Sequence, residues 1–210
     1  MLGRRAGGHG PDIDSAFGYF RQPMDSPRPG ALVRVLRRVL TFRSVVSIVY
    51  RHQQSLTVSS PVELRDVTPA NVDDARAIDP PHRVEEFRRF LARGDRGVYG
   101  YLGGRMVHRS WLVRGPTVMT LWSRFGAWPV AAGAAYIHYC ETAPDARGRN
   151  IYPAALIHLA RDSGAGDLFI ATEEANAASR RGIEKAGFVE IAHITLRVAF
   201  GIGHQSVSRG

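Results

Sequence analysis

The chain has 210 residues, 44% hydrophobic and 22% charged, enough to bury a core of ordinary proportions in one domain with an appendage. Its one cysteine, Cys140, excludes an internal disulfide and any two-cysteine metal site within the chain; the bland role for such a residue is a small buried apolar one. The formal charge of +9 has the sign of a nucleic-acid binder, but residues 1 to 52 hold nine Arg against three Asp, so most of the excess sits on the N-terminal segment and no nucleic-acid partner is expected.

Taken in chain order, residues 1–30 are rich in Gly, Pro, Ser and Arg without an apolar period, which predicts a disordered tail. They lead into no signal-like apolar run, and nowhere does the chain approach the roughly 18 uninterrupted apolar residues of a spanning helix, so a cytoplasmic location is expected. From Leu32 to His52, Leu32, Leu36, Val39, Leu40, Phe42, Val46 and Val49 recur at three- and four-residue steps among Arg34, Arg37 and Arg38. This spacing predicts a basic amphipathic helix and linker over 31–58, docked on the domain, on a second copy in a homodimer, or on an anionic membrane surface.

The text changes at Ser59-Ser60-Pro61, and a globular domain is expected over 59–203 with a tail over 204–210. Val62 to Val67 reads as a strand, Pro69 to Ile78 and His82 to Ala92 as helices, the second closed by Gly94-Asp95. Val98 to Leu102, Met106 to Val113 and Ala134 to Thr142 read as strands, the first two joined through Gly103-Gly104; Pro116 to Gly133 has no assignment. Ile151 to Ser163 reads as helix, Asp167 to Thr172 as strand, Asn176 to Ala186 as helix and Phe188 to Phe200 as strand. The expected class is α/β with a mixed sheet and an N-terminal helical extension.

Two segments carry chemistry. Arg147-Gly148-Arg149-Asn150-Ile151-Tyr152-Pro153 lies between a strand and a helix. It is either a loop with a helix cap at Asn150 or a seat for an anion, since first-turn amides have no intrahelical acceptor and the helix dipole stands behind them. The second is Asn176-Ala177-Ala178-Ser179-Arg180-Arg181-Gly182-Ile183-Glu184-Lys185-Ala186-Gly187-Phe188.

In this order and spacing the two segments resemble the signatures of the GNAT acyltransferases, an Arg-x-x-Gly-x-Gly/Ala turn followed about two dozen residues later by Asn and Glu-Lys-x-Gly-Phe. The resemblance spans Val62 to Phe200, with its discriminating residues between Tyr139 and Phe188. It implies a GNAT fold whose fourth and fifth strands splay apart around the pantetheine of acetyl-CoA or another acyl-CoA co-substrate, with no metal. It further implies that amides of Arg147, Gly148, Arg149, Asn150, Ile151 and Tyr152 hold the pyrophosphate, that Cys140 and Thr142 face the thioester, and that Asn176 contacts pantetheine. The sequence departs from the pattern at Asn150 and Tyr152, where the turn usually has Gly and then Gly or Ala, and at Ile183, where many members carry the Tyr that protonates the departing thiolate.

The implied activity is transfer of an acetyl or short acyl group to a primary amine by direct attack. The Asn150-Ile151-Tyr152-Pro153 variant with Ser179 to Phe188 resembles members associated with surface polysaccharide and secondary metabolism, which implies a small-molecule or amino-sugar acceptor. An amine of pKa about 10.4 needs a base near pH 7. Glu141 on the strand facing the thioester is the first candidate and Glu173 at the end of the next strand the second, against ordinary roles as an Arg partner and a helix-start acid. His138 is a third candidate or a core histidine, and Tyr139 and Tyr152 are proton donors or packing residues. Two other readings stand beside the enzyme: a degenerate GNAT domain that binds acyl-CoA as a sensor or partner subunit without turnover, and an adaptor that uses the basic N-terminal segment.

Overall fold

A computed structural model describes residues 43–54, 56–121, 126–199 and 202–209. The elements in order are β1 (Arg43–His52), β2 (Glu63–Asp66), a 3₁₀ turn (Val72–Ala77), α1 (Pro81–Arg93), β3 (Arg96–Leu102), β4 (Arg105–Arg114), β5 (Thr117–Thr120), β6 (Ala127–Val130), β7 (Ala135–Thr142), a 3₁₀ turn (Pro144–Ala146), α2 (Ile151–Arg161), β8 (Leu168–Glu173), α3 (Ala177–Lys185), β9 (Phe188–Ala199) and β10 (Ile202–Arg209). Eight strands form one sheet in the order β10-β9-β1-β8-β7-β4-β3-β2, and β5 and β6 form a separate ribbon. All neighbours in the large sheet are antiparallel except β7 and β8.

The helices cover both faces because the strands alternate apolar residues to each. On one face Ile48, Tyr50, Leu112, Ile137 and Ile170 pack against Leu156 and Leu159 of α2 and Ile183 of α3. On the other, Tyr99 and Trp111 meet Val84, Phe87 and Phe90 of α1, while Val49, Phe169 and Ile194 meet Met119, Leu121 and Val130 of the β5–β6 ribbon. Pro81 opens α1, where its missing N–H is harmless, and Gly94 closes it at φ +87°, a conformation glycine adopts without penalty. No helix of the described residues is long and apolar enough to cross a membrane.

Three expectations need correction. The helix expected to run to His52 is a strand over its last ten residues, Arg43–His52, seated between β8 and β9, so the domain begins before residue 59. The physical reason is that Val45, Val46, Ile48, Val49 and Tyr50 are β-branched or aromatic and are needed on both faces of a covered strand; a run that feeds two faces imitates helical spacing. Residues 32 to 42 lie outside the described residues. The tail expected over 204–210 is also strand to Arg209: β10 pairs with β9 from Ile202↔Ala199 to Arg209↔Ala192. The unassigned stretch 116–133 holds the β5–β6 ribbon, and the helix expected before Ile78 is a short 3₁₀ turn.

Candidate active site

The site is a parting of the two central parallel strands. Pairing of β7 with β8 runs through Ala135↔Leu168, Tyr136↔Phe169 and Ile137↔Ile170 and ends there. Beyond it β7 stays with β4 as far as Thr142, whereas β8 stays with β1 as far as Glu173. A bulge accompanies the parting: Trp111 faces His138 and Arg109 faces Glu141, so Tyr139 and Cys140 share one opposite residue. Tyr139 has φ +52°, and an inserted residue of this kind bends and twists its strand.

At the end of β7 the chain turns through Gly148 at φ +80° and Asn150 at φ +54° straight into α2. Asn150 does not cap the helix with its side chain. Its Nδ2 instead donates to the Ser59 carbonyl at 3.2 Å and its Oδ1 accepts from Lys185 Nζ at 3.2 Å, while Ser60 Oγ donates to the Arg149 carbonyl at 3.0 Å. The Ile151 and Tyr152 amides, in the first turn of an 11-residue helix, have no intrahelical acceptor, and the helix dipole favours an anion beside them. Asn at a left-handed position is the least strained substitute for glycine.

Across the opening, Asn176 Oδ1 accepts from the Ser179 amide at 3.0 Å and caps α3. Helices α2 and α3 meet closely because Gly182 has no side chain: a Cβ there would lie 2.6 Å from Tyr152 Cδ1. The Tyr152 hydroxyl sits 3.3 Å from Ser179 Oγ. A buried polar group lies beside its ring, with the His108 ring centre 6.0 Å away, His108 Nδ1 2.7 Å from Thr142 Oγ1 and Nε2 2.8 Å from Ser110 Oγ. Burial, then the neighbouring Arg109, pulls the His108 pKa down to about 3, so the ring is neutral at physiological pH.

Solved structures share this architecture. An acetyltransferase of the GNAT family from Colwellia psychrerythraea aligns with a TM-score of 0.51 at 20% identity over 77% of this chain and 58% of its own. A GCN5-related glucosamine N-acetyltransferase region of a fungal multi-domain GH3 β-N-acetylglucosaminidase aligns with a TM-score of 0.53 at 13% identity, over 83% of this chain and 23% of that one. The chain has the GNAT fold. A functionally unknown conserved protein from Staphylococcus epidermidis also aligns, with a TM-score of 0.52 at 10% identity, over 83% of this chain and 69% of its own. The chain thus spans about three fifths of the Colwellia protein and under a quarter of the fungal one. No protein-family model matches the sequence, and no curated protein does.

On this GNAT fold, the residues expected to hold acyl-CoA lie at the parted end of β7 and at the starts of the two helices that follow: Cys140 and Thr142 on β7, Arg147 to Tyr152 on the turn into α2, and Asn176 at the start of α3. Tyr152, at a position where a small residue was expected, turns its ring onto Gly182. The acid–base candidates scatter. Glu141 is exposed and accepts from Arg147 Nη2 at 3.0 Å, the ordinary role weighed for it. Glu173 ends β8 opposite Ser47, its carbonyl accepting from the Asn176 amide. His138 lies against Phe90, Tyr136 and Tyr139 with Nε2 buried and without a hydrogen-bond partner among the described residues. The phenols of Tyr139 and Tyr152 serve opposite faces: Tyr139 donates to Glu86 on the buried side of α1, whereas Tyr152 belongs to α2. Ile183 is fully buried.

Sequence reasoning missed a buried ionic group on the α1 face. Arg109 binds Asp79 through Nε at 2.7 Å and Nη2 at 2.9 Å, and Arg83 binds Glu86 at 2.5 Å. The available signal was His108-Arg109-Ser110 between the apolar pairs Met106-Val107 and Trp111-Leu112, where three polar residues need partners. Among the described residues no cluster of three His, Cys, Asp or Glu could hold a metal ion.

Proposed function

We propose that the chain is an N-acyltransferase that moves an acetyl or other short acyl group from acyl-CoA to a primary amine of a small molecule or amino sugar. The observation that carries this reading is the union of the parted strands with the turn at 147–152, pinned to α3 by Lys185 and Asn150. A pantetheine arm supplies the backbone partners that β7 and β8 lose beyond Ile137 and Ile170, and the first-turn amides of Ile151 and Tyr152 receive the pyrophosphate of acyl-CoA, the Arg147 amide being bonded to the Pro144 carbonyl.

Transfer is direct. Burial pushes the Cys140 thiol up to about 11, which keeps it protonated and unsuited to an acyl-enzyme step. The amine attacks the thioester carbonyl, a tetrahedral oxyanion forms opposite a β7 amide, and the C–S bond breaks to leave a thiolate. Tyr152, with Ser179 beside it, is the phenol placed on the α2–α3 face of the opening and donates the proton that the thiolate needs. Glu173 is the preferred base, because Glu141 is engaged by Arg147. The amino-sugar acceptor rests on the form of the turn and of residues 179–188; the fungal glucosamine N-acetyltransferase region supports the fold only.

A second reading, acyl-CoA binding without turnover, is favoured by the buried Ile183 and by the paired Glu141. Release of free thiol from acetyl-CoA across a panel of amino sugars and small amines separates the two. Thiol release that depends on the amine supports the enzyme, and binding without release supports the sensor. Best activity on basic protein peptides would overturn the small-molecule acceptor.

A further inference from the structure

The left-handed residue in β7 is a tyrosine, which this backbone region disfavours, and such a conformation persists only where its surroundings over-determine it. Those surroundings are specific. The Tyr139 carbonyl accepts from Arg109 Nη1, and its hydroxyl donates to Glu86. The Arg83 guanidinium lies 5.0 Å from the centre of its ring, and Phe87 and Phe90 meet the ring edge-on. Arg109 is fixed in turn by its two bonds to Asp79, and all four ionic residues are buried.

A trans peptide is planar, with C=O and N–H pointing in opposite directions. Because the Tyr139 carbonyl is drawn to the Arg109 guanidinium, which is held by Asp79 and lies over Phe87 on the α1 face, the Cys140 N–H points away from that guanidinium, at the level where β7 and β8 have parted. We propose that Arg109 and Asp79, with Glu86 and Arg83, are positioning residues for acyl transfer: they hold Tyr139 left-handed and so aim the Cys140 amide at the thioester oxygen. The proposal rests on the acyltransferase reading for its chemistry, while the clamp itself can be tested without turnover.

The test compares the full chain with Arg109→Lys, Tyr139→Gly and the double variant, by amide hydrogen exchange over residues 138–142, acetyl-CoA affinity, and kcat with the best amine. Lysine keeps the charge but cannot span Asp79 and the Tyr139 carbonyl together. Arg109→Lys is expected to speed exchange in 138–142 at least tenfold and to lower kcat at least tenfold, with acetyl-CoA affinity within about twofold. Adding Tyr139→Gly removes the steric objection to positive φ and is expected to restore kcat to within a few-fold of the parent. Unchanged exchange in Arg109→Lys, or a kcat loss that glycine does not relieve, overturns the clamp. Should Arg109→Lys not fold, Tyr139→Phe, which removes only the bond to Glu86, is expected to move exchange and kcat in the same direction by a few-fold, and no movement overturns the idea. A parent chain that fails to bind acetyl-CoA defeats the acyltransferase reading and leaves the exchange result to decide the clamp.

Discussion

Replacing Gly182 by alanine tests the seam between the two signature segments, because two effects of known size oppose each other there. In the middle of a helix alanine is favoured over glycine by about 0.8–1.0 kcal/mol. Against that, the new methyl lies 2.6 Å from Tyr152 Cδ1 and 3.0 Å from Cε1, where carbon atoms in contact prefer about 3.5–4.0 Å. Overpacking of this kind costs about 1–3 kcal/mol, so the net change is a loss of about 1 kcal/mol, or about 2–4 °C in Tm for a chain of this size. In a Tyr152→Ala background the obstruction is gone and the same substitution is expected to raise Tm by about 2–4 °C. Thermal unfolding of the four proteins reads the sign directly. A shift of the same sign in both backgrounds would refute the claim that Gly182 exists to admit the Tyr152 ring.

Three further outcomes follow from the site. His108 has a folded-state pKa below its unfolded value, so the unfolded chain binds the extra proton and stability falls as pH drops from about 6.5 toward 3. His108→Gln is expected to flatten the pH dependence of urea unfolding in that window by about 1.4 kcal/mol per pH unit, and an unchanged slope would contradict a neutral buried ring. Asn176→Ala removes the cap that receives the Ser179 amide and should cost about 1 kcal/mol by urea unfolding; no loss would mean that α3 is held by packing alone. Tyr152→Phe should lower kcat at least tenfold with acetyl-CoA affinity kept, and unaltered kcat would remove Tyr152 as the proton donor.

What was legible in the sequence was local. Arg147 to Tyr152 and Asn176 to Phe188 announce a turn, a helix start, a cap and a left-handed Gly187, because each feature depends on residues a few positions apart. The contact that joins them, Lys185 to Asn150, spans 35 positions and shows in the sequence only as the co-occurrence of the segments. β1 carries the spacing of a helix because Val45 to Tyr50 serves two core clusters at once, and periodicity does not separate such a strand from a helix. β10 offers Ile202 and Val207 among Gly, His, Gln and Ser, with no apolar alternation to mark it. The Asp79–Arg109 pair is 30 residues apart and follows from topology alone.

The measurement that bears most directly on the central claim is thermal unfolding with and without acetyl-CoA, for the parent and for Gly148→Glu. A ligand at 100 times its Kd adds about 2.7 kcal/mol to the folded state, a rise of about 5–10 °C at this chain length. Gly148 lies at φ +80° in the turn expected to hold the pyrophosphate, so glutamate there brings both backbone strain and a repelling charge. If the turn holds the pyrophosphate, the parent shows the rise and Gly148→Glu loses it. No rise with acetyl-CoA or other acyl-CoAs, or an equal rise in both proteins, would contradict it.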